Sequence, residues 1–163
     1  IIVDLYGDNK INGGNGNDNI KTGSGIDTIF GGSGDDEIYS GDGDDTIEGN
    51  DGNDTIYGEG GRDTIYGGNG NDYIDGGDEL DKIFGEAGDD TIYGGGMTDY
   101  ISGGDGDDWI DGGLGIDLLF GDDGDDIIFG RVIRIISREE TVTITFTEVM
   151  EMMKYTVTAK MTA

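Results

Sequence analysis

The hydrophobic positions of this chain recur every nine residues. From Gly13 to Phe129, thirteen nine-residue units follow one another without insertion or deletion, among them GGNGNDNIK, GGSGDDEIY, GGNGNDYID and GGDGDDWID. The eighth place is Ile in twelve units and Leu119 in the other. The sixth place is Asp in all thirteen, and the first and fourth places are each Gly in eleven. A degenerate unit over 4–12 keeps Gly7 in the fourth place and Ile11 in the eighth, but has Asn9 in the sixth. A fixed short period of this kind marks a repeat architecture.

Each place predicts an element. Six residues dominated by Gly need backbone angles that residues with a Cβ avoid, so they predict a tight turn. The next three, such as Thr55-Ile56-Tyr57, predict a short strand. Side chains alternate along a strand, so the eighth-place Ile faces inward while places seven and nine face water. A three-residue strand does not survive alone, but it survives if identical units stack. Two units, eighteen residues, close one coil. Odd units then build one parallel sheet and even units the other, with Ile29 on Ile47 and Ile38 on Ile56. Thirteen units give six and a half coils, a body about 31 Å long at the usual strand spacing.

Charge divides the chain. The first 130 residues hold four basic and 33 acidic side chains, net −29, and every Gly. Residues 131–163 are near neutral, with five basic residues against four Glu. Three parts are expected: a degenerate N-terminal repeat (1–12), the roll (13–130), and a C-terminal segment (131–163). Such acidity repels phosphates, so nucleic acid is excluded as a partner. Without Cys or His there is no disulfide, no thiol chemistry and no site suited to zinc or transition metals. No apolar run approaches the roughly 18 residues that a membrane span needs. The first residue is Ile and no signal peptide opens the chain, which predicts a part of something longer.

Stacking aligns the turns, so two columns of Asp run along the edges with each carboxylate about 5 Å from the next. Only Arg62 and Lys82 interrupt them with positive charge. Such columns repel strongly unless cations lie between successive turns. A donor set of carboxylate and main-chain carbonyl oxygens favours Ca²⁺ over Mg²⁺, which resists dehydration.

The signature GGxGxDx(Ile/Leu)x resembles the nonapeptide of the RTX, or haemolysin-type calcium-binding, repeats of secreted bacterial toxins, proteases, lipases and adhesins. Thirteen copies in register make the resemblance specific. It implies an all-β fold, a right-handed parallel β-roll stabilised by calcium, with a small β-rich C-terminal cap. It implies about eleven Ca²⁺ ions, each between a turn and the turn two units later. The side-chain ligands implied are Asp18, Asp27, Asp36, Asp45, Asp54, Asp63, Asp72, Asp81, Asp90, Asp99, Asp108, Asp117 and Asp126. The carbonyl ligands implied include those of Gly13, Gly31, Gly49, Gly58, Gly67, Gly76, Gly85, Gly94, Gly103, Gly112 and Gly121. Departures from the pattern are Glu79 and Met97 in the fourth place, which predict strained turns or weaker sites. Milder ones are Thr22 and Ser40 in the first place, and Asn50, Glu59, Glu86 and Asp122 in the second.

By the same resemblance, the chain is a monomeric, secreted bacterial module. It is unfolded at low calcium and folds on extracellular Ca²⁺, serving type I secretion and the folding of a larger exoprotein. Its partners are then the upstream domains of that protein and the type I secretion machinery. The competing reading is an adhesive or glycan-binding segment of a calcium-rigidified adhesin. An enzyme is not expected: GxSxG, HExxH and P-loop motifs are lacking, and the repeat accounts for every close carboxylate. The ninth-place aromatics, with Trp109, are read as cross-strand packing. The third place is never Thr and the fifth varies among Asn, Asp, Ile, Arg, Leu and Thr, so no regular external ladder is expected and ice binding is disfavoured. In 131–163, period-two alternation predicts three antiparallel strands, with room for a helical turn at 149–153. A cap over the open end of the solenoid is favoured, a piece of secretion signal being the alternative.

Overall fold

Residues nine apart fall on opposite sheets, and residues eighteen apart stack. In the computed structural model, residues 1–130 are described in full. Beyond them the structure describes the backbone of three strands, Val132–Ser137, Thr143–Thr145 and Thr156–Thr158. The units build a parallel β-roll of two sheets, ten-stranded and eight-stranded. Ile29 pairs in register with Ile47, and Ile38 with Ile56, as the period requires. Among the described residues there is no helix, and so none long and apolar enough to cross a membrane.

The core is two facing columns of eighth-place side chains. From Ile20 to Ile128 each is fully buried, and Ile11 of the degenerate unit closes the column at 8% exposure. Burying an Ile side chain contributes about 1.5–3 kcal/mol, which offsets part of the ordering cost of a Gly-rich chain. Places seven and nine are mostly half-buried, because their side chains pack on one another along the outer faces. On one sheet the rings of Tyr39, Tyr57, Tyr73, Tyr93, Trp109 and Phe129 stack coil upon coil at 4.9–5.8 Å. On the other, Tyr66, Phe84, Tyr100 and Phe120 do the same at 5.0–5.6 Å.

Three features depart from expectation. Odd-unit strands have three residues, as in Thr55–Tyr57, but even-unit strands run on through the first places of the next turn, as in Thr46–Asp51. The chain also begins one strand earlier than the repeat count suggests. Ile2–Val3 pairs with the strand Asn19–Lys21, Ile2 opposite Ile20, because Ile2 stands nine residues before Ile11. Finally, the C-terminal strands are not all antiparallel. Val132–Ser137 and Thr143–Thr145 extend the two sheets in parallel, and only Thr156–Thr158 reverses, against Thr143–Thr145. An unpaired sheet edge templates whatever strand follows, so the alternating pattern is drafted into the existing ladders. The turn expected at 149–153 lies outside the described residues.

Candidate metal centre

Positive φ at the fourth place of every turn of the thirteen units, and at the second place of every one but that of Gly23, bends the chain so that the sixth-place Asp points into the corner. Gly52, at φ 140, shows why the fourth place is Gly: a Cβ there would collide with the Gly34 carbonyl of the coil below. Glu79 and Met97 also take positive φ in the fourth place, at 74 and 71 against 96–149 for the glycines of the thirteen units, at a cost of about 1–2 kcal/mol each. The ladder of sixth-place carboxylates passes Asp81 and Asp99 unbroken. Asn50, Glu59, Glu86 and Asp122 are the other non-glycine residues at positive φ.

The carboxylates themselves are tied from coil to coil. The main-chain N–H at each sixth place donates to Oδ1 of the Asp eighteen residues on. The series runs from Asn9 with Asp27 at 2.7 Å to Asp108 with Asp126 at 3.0 Å. Asp27 to Asp126 are all buried, at 2% exposure or less, whereas Asp18 is half-buried. In all twelve buried residues Oδ2 has no hydrogen-bond donor. A buried, unpaired carboxylate oxygen is costly, and here it recurs at every corner.

In eight corners, from Asp36 to Asp108, the orphan oxygen lies close against the first-place glycine of its own unit, with a main-chain oxygen of the next coil on it as well. A Cβ placed on Gly31 would lie 2.5 Å from Asp36 Oδ2 and 2.8 Å from the carbonyl oxygen of Gly49, one coil on. Gly13, Gly49, Gly58, Gly67, Gly76, Gly85, Gly94 and Gly103 repeat the arrangement. Gly112 and Gly121 adjoin only their own Asp117 and Asp126. Among the described residues no three acidic side chains converge to hold a metal ion. These corners instead bring a carboxylate oxygen and a main-chain carbonyl to the same glycine, an all-oxygen set that suits a hard divalent cation.

The electrostatics agree. Burial, only partly offset by the N–H bond to Oδ1, pushes Asp63 and Asp108 up to about 8. It pushes Asp72 and Asp81 up to about 7, and Asp45, Asp54, Asp90 and Asp99 up to about 6. Neighbouring carboxylates in the columns add to the rise. Asp63 and Asp108 stay fully ionised at neutral pH only with positive charge beside them.

The two edges are not alike, and pooling them hid it. In all seven odd units the fifth place is Asn or Asp, from Asn17 to Asp125. Their side chains form a second, exposed ladder: Oδ1 of Asn17 accepts the N–H of Asp35 at 3.1 Å, and so on to Asp107 with Asp125 at 2.9 Å. A regular external ladder therefore exists on one edge, contrary to expectation. The even edge has Ile26, Asp44, Arg62, Leu80, Thr98 and Ile116 in that place. Arg62 pairs there with Asp44 at 3.0 Å. Thr22, Ser40, Glu79 and Met97 all belong to the even edge as well.

Nine overlapping segments match the RTX calcium-binding nonapeptide repeat (4 copies): 1–29, 12–47, 21–56, 39–74, 48–82, 66–101, 75–110, 85–119 and 102–131. Together they span residues 1–131. No curated protein matches the chain. The chain belongs to the RTX calcium-binding nonapeptide-repeat family, and its roll is a structural calcium-binding module, not a catalytic one.

Proposed function

We propose that this module is a calcium-conditional folding unit of a secreted bacterial exoprotein, a chain that crosses a type I secretion channel unfolded and closes outside the cell. The ligands are drawn from the sixth-place carboxylates between Asp18 and Asp126, together with first-place carbonyls such as those of Gly31 and Gly49. The observation that carries this reading is the set of twelve buried Oδ2 atoms without donors. With net charge −29 in the first 130 residues, the cation-free roll is opposed by its own corners. Ion binding and folding are then one event. For a dissociation constant on the order of 10⁻⁴ M, typical of extracellular modules, millimolar calcium supplies about 1.4 kcal/mol per site. At submicromolar calcium that contribution vanishes.

Residues 131–163 serve in this reading as the cap that ends the roll. The parallel attachment of Val132–Ser137 and Thr143–Thr145 to the last strands supports it. The test is far-UV circular dichroism of the full chain, titrated with Ca²⁺ from excess EGTA. A steep, saturable gain of β-structure is expected. A roll already formed in EGTA at pH 7.5 overturns the reading.

A further inference from the structure

Eleven pairs of units stand two apart along the repeat, and in nine of them the first place of the earlier unit is Gly, with its own Asp Oδ2 and the first-place carbonyl two units on both close against it. The other two carry Thr22 and Ser40. Both side chains are buried, at 1% and 0% exposure, so each puts a Cβ and a hydroxyl where the other pairs have only a glycine hydrogen. Thr22 Oγ1 donates to the Ser40 carbonyl at 2.5 Å, and Ser40 Oγ to the Gly58 carbonyl at 2.8 Å. These are the carbonyls that lie beside Oδ2 in the other pairs. A carbonyl already accepting a hydroxyl proton, with a Cβ in front of it, is a poor cation ligand. The charge to be neutralised is also smaller at this end. The even column opens with the uncharged Asn9, which donates its N–H to Asp27 at 2.7 Å.

Resting on the calcium reading above, we propose that Thr22 and Ser40 exclude calcium from these two corners and replace it with side-chain hydrogen bonds. The chain then holds nine ions where unbroken glycine would hold eleven. All nine lie on the odd edge or on the C-terminal part of the even edge. The first even-edge coils close by hydroxyl bonds, without metal.

Ion counting on the full chain tests this, by equilibrium dialysis against saturating Ca²⁺ with elemental analysis of the protein. Nine ions are expected for the native sequence, ten for Thr22→Gly or Ser40→Gly, and eleven for the double variant. The double variant Thr22→Val/Ser40→Ala keeps the volume but loses the hydroxyls, so it stays at nine and unfolds at lower temperature. Eleven ions on the native chain, or a rise in the Val/Ala variant, overturns the proposal while leaving the calcium reading intact. No bound calcium at all overturns the calcium reading itself.

Discussion

The main-chain N–H of Asp45 donates to Oδ1 of Asp63 at 2.8 Å, and Oδ2 of the same Asp63 meets no donor. One carboxylate thus does two opposed things. One oxygen stitches a coil to the next, and the other leaves a buried negative charge that meets no donor among the described residues.

Asp63→Asn separates the two. The amide oxygen keeps the bond from Asp45, and the amide N–H₂ faces the Gly76 carbonyl, where it can donate. The calcium midpoint should rise several-fold and the bound-ion count should fall. Without metal at pH 8, the variant should retain at least as much β-structure as the native chain. Calcium titrations followed by circular dichroism read both effects, and a change of the same sign in both conditions contradicts the assignment.

Acid should substitute in part for metal. Carboxyls that titrate near 3.8 in an unfolded chain are raised in the roll, Asp63 and Asp108 to about 8. Between those values the folded state binds more protons than the unfolded one. Stability of the cation-free roll is therefore greatest below pH 4 and falls as pH rises towards 8. Calcium uptake at pH 7 should release protons, measurable by calorimetry in buffers of different ionisation enthalpy. More β-structure at pH 8 than at pH 4 without metal contradicts this.

Backbone strain predicts two substitutions of opposite sign. Met97→Gly removes a side chain from φ 71 and should stabilise the calcium-loaded roll by about 1 kcal/mol. Gly52→Ala puts a Cβ against the Gly34 carbonyl at φ 140 and should destabilise it by more than that. Thermal melts at fixed calcium compare them.

The core predicts a contrast by place. Ile74→Ala opens a cavity in a fully buried column and should cost about 2–5 kcal/mol. Ile127→Ala, in the seventh place and 42% exposed, should cost far less. Trp109, stacked between Tyr93 and Phe129, reports closure of these coils by fluorescence.

The places fixed by period were legible in the sequence. Ile or Leu at every eighth place and Asp at every sixth of the thirteen units need no three-dimensional context, because identical units can stack in only one register. Differences between edges were not legible while units were compared all together. The fifth place looks irregular until units are separated by parity, since adjacent units lie on opposite sides of the roll. Thr22 and Ser40 read as mild substitutions for the same reason: only the stacked geometry shows that a first-place Cβ competes with an orphan Oδ2. Ile2 does not stand out in the sequence because residues 1–3 are too few to display the repeat unit, although its nine-residue spacing to Ile11 marks it. The tail was misjudged because alternation gives a strand its faces, not its direction.

Eighteen-residue stacking also sets how the body yields to force. Every coil is held only by its neighbours, through bonds that lie along the axis. Tension on one end therefore peels the roll a coil at a time instead of shearing it whole. Each step frees eighteen residues, about 60 Å of slack, so a pull ratchets the molecule open in uniform increments.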